Sequence, residues 1–197
     1  HPLMPKVNSA LLVTGFIVVA GLAVGSAIDR TLPSAQDVLG EPFVTTVEVG
    51  QKAELRTADI TVDSWTTSNS VTSYGTAYDT VGTWVVLDLH VAAKNRPHTL
   101  SGMELVSEGG RTYGGPADVS NCCDPAQPGV PITCQVAFEV PSEDVPGLEL
   151  HIPAGGVSGS PGDDLVIVDL GITPDAPNVV SPLSNVDLVR TRFGVNS

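Results

Sequence analysis

The feature that most constrains this chain is an uncharged apolar run from Val7 to Ile28, VNSALLVTGFIVVAGLAVGSAI, bracketed by Lys6 and Asp29. These 22 residues, at about 1.5 Å of rise each, make a helix of roughly 33 Å, enough to cross the hydrocarbon core of a bilayer. The run predicts a transmembrane anchor over residues 1–30. Gly25-Ser26-Ala27 resembles a signal-peptide cleavage site, but the run is longer than a typical signal core, so a retained anchor is expected. No cysteine lies near its end, which excludes a lipoprotein anchor. Lys6 before the run favours a cytoplasmic N-terminus and an extracytoplasmic domain, although Arg30 opposes it. Gly21 and Gly25 form a small-xxx-small pair suited to close packing against another membrane helix.

Charge is distributed to match. The chain has 22 acidic residues against 9 Lys and Arg, a net charge of −13, and no acid precedes Asp29. The part beyond the apolar run is therefore strongly acidic. Such a surface repels phosphate backbones and anionic lipid, so nucleic acid is not an expected partner. Aromatic residues make up 5% of the chain, low for a module that stacks on sugars.

Residues 31–42 read as a Pro- and Gly-containing linker. From Phe43 onward, short alternating runs separated by turn residues predict an all-β, antiparallel, immunoglobulin-like sandwich over residues 43–172, with about seven strands. Phe43 to Val49 is the first and Ala53 to Trp65 holds the second. Thr66 to Val81, rich in Ser and Thr, reads as a long loop or weak edge strand. Thr83 to Lys94 is the clearest strand, with Val85, Leu87, Leu89 and Val91 inward and Trp84, Val86, Asp88 and His90 outward. Ile132, Cys134, Val136, Phe138 and Val140 share one face of another. Gly147 to Ile152 and Leu165 to Leu170 supply two more.

Residues 173–197 contain Pro174, Pro177 and Pro182, which bar a helix or central strand at those points. The segment reads as an extended tail that docks on another protein rather than folding into the domain. Leu183, Leu188 and Phe193 are its apolar anchors. Arg190 and Arg192 are its basic pair, suited to a partner's carboxylates.

Three cysteines occur. Cys122 or Cys123 is expected to close a small disulfide loop with Cys134, leaving one thiol over. Their spacing does not suit zinc. His90, His98 and His151 read as surface histidines. Gly156-Val157-Ser158-Gly159-Ser160 lacks the final glycine of a nucleophile elbow and no helix follows it. Asp163-Asp164 reads as a turn opening a strand rather than a calcium site. No catalytic, cofactor or metal site is expected.

Gly82 to Val91, ending in Lys94-Asn95, resembles the central strand of the telokin-like immunoglobulin-type domains of unknown function, bacterial relatives of the secreted mycobacterial immunoprotective antigen. Met103 to Leu105 through Gly110 to Tyr113 is similar to their following hairpin. Pro128-Gly129 and Val136 to Pro141 are similar to their return strand. The resemblance covers about Phe43 to Leu170 and implies an envelope-located, non-enzymatic domain. Together with the Ala, Val, Gly and Pro richness, it suggests an actinobacterial source. The resulting expectation is a non-catalytic accessory subunit of an integral-membrane complex, with the respiratory cytochrome bcc–aa3 supercomplex as one named candidate. Its partners would be other membrane subunits and, through the anchor, the bilayer. The alternative is a stand-alone membrane-anchored envelope module that binds a small ligand, glycan or protein.

Overall fold

A computed structural model describes residues 42–114, 119, 123–153 and 164–194. The apolar run, Gly21 and Gly25, Cys122, and the Gly156–Ser160 loop lie outside the described residues. No described helix is long and apolar enough to cross a membrane. The described residues belong to one compact unit, Pro42–Ser197.

This unit is a β-sandwich. Its strands are β1 (Phe43–Glu48), β2 (Lys52–Glu54), β3 (Ala58–Ser73), β4 (Thr76–Ala93), β5 (Glu104–Val106), β6 (Thr112–Gly114), β7 (Ile132–Val140), β8 (Glu149–Pro153), β9 (Asp164–Asp169), β10 (Val186–Asp187) and β11 (Arg192–Phe193). A single helical turn, α1 (Pro177–Val180), precedes β10. The first sheet runs β1-β9-β8-β5-β6 and the second β10-β3-β4-β7-β11, with β2 also paired to β3. Most pairings are antiparallel. The expectation of a purely antiparallel sandwich is corrected at two places, since β1 runs parallel to β9 and β10 parallel to β3. Both parallel pairs join segments far apart in sequence, which supplies the long connection that parallel strands need.

The main core lies between the sheets. Val85, Leu87, Leu89 and Val91 of β4 and Ile132, Val136 and Phe138 of β7 are all buried there, with Leu150 and Ile152 of β8 and Val166 and Val168 of β9 facing them. Alternation along β4 and β7 thus sets the register that the sequence predicts, because a one-residue slip would turn this whole set to solvent.

Thr66 to Val81 is neither a loop nor a weak edge. It forms the distal half of the β3–β4 hairpin, closed by the two-residue turn Tyr74-Gly75 with φ of 51° and 81°. Both values are positive, as the hairpin-favouring type I′ turn requires. The hairpin does not run straight. The Trp84 indole N–H donates to the Tyr78 carbonyl at 2.9 Å, six positions back along the same strand. Six residues of straight strand would span roughly 20 Å, so β4 bends sharply between them. Register shifts at Val62/Ser64 and Ser68/Ser70 let β3 follow. The curl sets Val71 and Tyr78 against Trp84, Val86 and Ala137 on the outer side of the second sheet, where they make a second, smaller apolar cluster.

The tail also departs from expectation. Residues 173–194 fold back on the domain as a strap. Val186 and Leu188 pack on the second cluster, β10 pairs with Val71 and Thr72, and β11 pairs with Ile132 and Thr133. The physical reason is that Trp84 and Val86 are large apolar side chains on the outward face of β4. Leaving them wet costs more than ordering a short segment over them. The strap's pairing is limited to two-residue ladders at the sheet edges, and its three prolines all lie upstream of them.

Candidate functional site

The curled hairpin and the strap enclose the outer face of the second sheet, and this is where the chain builds its polar structure. Ser64 Oγ donates to Asp88 Oδ2 at 2.8 Å, and Gln135 Nε2 donates to Asp88 Oδ1 at 2.8 Å. The Val189 backbone N–H completes the chain by donating to Gln135 Oε1 at 2.8 Å. One line of hydrogen bonds therefore ties β3, β4 and β7 to the strap. Around it opens a groove of about 390 Å³, lined by Asp63, Ser64, Asp88, Gln135, Arg190 and Arg192 among others. A second hollow of about 420 Å³ lies against Thr72, Tyr74, Asp187 and Arg190. Arg190 borders both.

The Ser/Thr-rich stretch earns its composition here. Thr67 and Ser68 are fully buried, and a buried hydroxyl must find a partner. Thr67 Oγ1 donates to the Asn178 carbonyl, and Ser68 Oγ donates to the Ser70 carbonyl at 2.6 Å and lies 3.1 Å from the Leu183 carbonyl. Backbone bonds from Asn69 to Leu183, Leu183 to Thr67 and Leu188 to Thr72, each 2.8 to 2.9 Å, hold the strap to the hairpin. Of the tail residues read as partner anchors, Leu188 and Arg190 are engaged within the chain. Arg190 lies 4.9 Å over the Tyr74 ring. Leu183 and Phe193 stay about half exposed.

Cys123 is the partner of Cys134, which resolves the choice the sequence left open. The closed loop is short, and in the chain-entropy picture such a loop stabilises by about 3 kcal/mol. Ala126 inside it exchanges two backbone hydrogen bonds with His98. His98 is not a surface residue. Its ring is buried to 5% exposure, its Nδ1 lies 3.1 Å from Thr57 Oγ1, and its Nε2 has no described partner. Burial, reinforced by Arg96, pushes its pKa below the usual histidine value. His151 lies 3.3 Å from Glu149, and His90 sits on the outer face of β4 beside Thr61 and Thr133.

Other polar contacts are structural ties. Arg56 pairs with Asp164 at 3.1 Å and Arg111 with Asp144 at 3.0 Å, while the Tyr113 hydroxyl donates to the same Asp144 carboxylate. That hydrogen bond is the largest cause of a raised Tyr113 pKa. Among the described residues no group of three His, Cys, Asp or Glu is placed to hold a metal. Of the groove's polar groups, Ser64, Asp88 and Gln135 hydrogen-bond one another in a line that ends on the strap.

No family model and no curated protein matches the chain. Among solved structures it is similar to an uncharacterized β-sandwich protein from Clostridium difficile 630, with 17% identity and a TM-score of 0.41, over 66% of this chain and 95% of that one.

Proposed function

We propose that this chain is a non-catalytic, membrane-anchored accessory subunit of an integral-membrane complex, with an immunoglobulin-like domain on the outer face of an actinobacterial envelope. A respiratory supercomplex of the cytochrome bcc–aa3 type is one such complex. The observation that carries the reading is the Cys123–Cys134 disulfide, because structural disulfides persist in oxidising compartments. That agrees with the side to which the Lys6-flanked apolar run would export the domain.

The strand order supports the immunoglobulin-like part. Strands β3-β4-β7 opposite β9-β8-β5 follow the A-B-E and G-F-C neighbours of that fold. The segments that resemble the telokin-like domains fall on β4, the β5–β6 hairpin and β7. Exposed Phe43, Val44, Val130 and Phe193 lie at one end of the sandwich, as the Arg56–Asp164 pair and the strand registers require. Apolar side chains at an exposed end suit contact with protein.

The test is purification of the tagged full chain from native membranes in mild detergent, with mass spectrometry of the eluate. Integral-membrane subunits in fixed ratio are expected. Elution of the chain alone would count against the reading. It would favour the alternative of a stand-alone envelope binding module, for which the groove beside Asp63 and Arg190 is the supporting observation.

A further inference from the structure

The disulfide and the end of the strap form one mechanical unit. The last four described residues of the strap all reach the segment that lies between Cys123 and Cys134. Thr191 Oγ1 accepts from the Asp124 N–H at 2.8 Å. Arg192 and Phe193 pair with Thr133 and Ile132. The Gly194 N–H donates to the Pro131 carbonyl at 2.8 Å. Upstream, the strap is fastened through Leu183 and Leu188 on the hairpin, Val189 on Gln135 of β7 and Arg190 over Tyr74. Of the downstream fastenings, those of Thr191 and Gly194 are to the loop that the disulfide closes, and those of Arg192 and Phe193 are to β7.

Besides the disulfide, the loop is shaped by Ala126, which is buried in the main core, and by two isolated bridges, His98 with Ala126 and Gln127 with Val130. Pro125, Pro128 and Pro131 contribute no backbone N–H. Cys134, by contrast, sits in β7, paired on one side by β4 and facing the main core. Opening the bond therefore frees the loop while β7 keeps its place.

The geometry points to a redox-operated clasp. With Cys123–Cys134 closed, the loop fastens Thr191 and Gly194 at either side of β11. With the bond reduced, the loop loosens, those two ties go with it, and the strap's end frays from the two-residue ladder that alone still holds Arg192 and Phe193 to β7. The reductant is a dithiol. Its thiolate attacks the sulfur of Cys123, a half-buried residue, while Cys134 is 4% exposed. The S–S bond breaks, Cys134 leaves as thiolate and takes a proton, and a mixed disulfide forms at Cys123. The dithiol's second sulfur then displaces Cys123, which also takes a proton. Two electrons and two protons pass to the protein, and the dithiol leaves as a disulfide.

The test is hydrogen exchange of the full chain carrying Cys122→Ser, which removes the third thiol, with and without dithiothreitol. Thiol titration confirms that Cys123 and Cys134 are reduced. Peptides covering 124–131 and 191–194 should exchange at least about tenfold faster on reduction, with 85–91 and 149–152 unchanged, the signature of local opening. Unchanged exchange in 191–194 with both thiols free overturns the clasp. So does an equal rise in β4 and β8, since the bond would then staple the whole fold.

Discussion

The Arg190 guanidinium lies 4.9 Å over the ring of Tyr74, and this contact joins the strap to the tip of the hairpin that it covers. Tyr74 holds a positive φ of 51° in a turn where Asn would be easier, and the ring gives that conformation a partner. Tyr74→Asn should therefore be destabilising in the native chain but neutral or stabilising when combined with Arg190→Ala. Urea denaturation of the two single variants and the double variant should give a coupling of about 0.5–1 kcal/mol, the range of an exposed cation–π pair. Strict additivity would show that the ring and the guanidinium do not interact.

At Gly82, β4 passes close to the end of β7, and an added Cβ would stand 2.5 Å from the Val140 carbonyl oxygen. That oxygen belongs to backbone and has no rotamer to escape into. Gly82→Ala should cost about 1–3 kcal/mol, as overpacking does. Gly114→Ala, with nothing near its added Cβ, should stay within roughly 0.5 kcal/mol. Equal denaturation midpoints for the two variants would mean that β4 and β7 can move apart there at no cost.

These two sites also show where the sequence is readable. Strand β7 begins and ends where its alternation does, and the inward set of β4 is buried as its pattern requires. Alternation fails as a guide between Thr66 and Val81 because the register shift at Ser68/Ser70 breaks the period and most of the buried side chains are hydroxyls. The turn is hidden as well, since Tyr-Gly lacks the Asn-Gly signature. Trp84 and Val86 on an outward face carried the signal of a cover, but nothing local says what provides it. The strap's two-residue ladders are too short to leave a period. The choice between Cys122 and Cys123 depends on where the loop folds, which spacing alone does not fix. The groove beside Asp88 is assembled from β3, β4, β7 and the strap, so no contiguous motif announces it.

The inward register can be checked directly. Leu87 is fully buried in the main core between Val136 of β7 and Trp65 of β3. Leu87→Ala should cost about 2–5 kcal/mol, and Leu87→Asp should leave the domain unfolded at neutral pH because an unpaired carboxylate has no partner there. A Leu87→Asp chain with native melting temperature would place this residue on the other face.

His98 gives the domain a defined acid response. Burial holds its folded-state pKa below the ordinary histidine value of about 6.5, so the unfolded chain takes up a proton more readily than the folded one. The neutral ring's contribution is present above about pH 6.5 and is lost as pH falls below that value. Urea midpoints measured from pH 7.5 to pH 5 should fall, and His98→Gln should flatten that part of the profile. A profile identical in both chains would assign the acid sensitivity to other groups.

Removing the strap tests whether the outer cluster needs its cover. The chain has two tryptophans, so Trp65→Phe leaves Trp84 as the sole indole reporter. Trp84 is 3% exposed beneath the hairpin, beside the strap's Val186 and Leu188. A chain ending at Pro182 loses these two side chains, β11 and the Val189 bond to Gln135. Two half-buried aliphatic side chains correspond to about 2–3 kcal/mol of burial. The truncated chain should therefore melt several degrees lower, at roughly 2–4 °C per kcal/mol for a domain of this size. Its Trp84 emission should shift to longer wavelength and become open to iodide quenching. The main core between the sheets keeps all its members, so far-ultraviolet circular dichroism should still report a folded β-sandwich below the melting temperature. If emission, quenching and melting all match the full chain, the strap does not cover Trp84 in solution, and the apolar outer face of β4 is sealed without it.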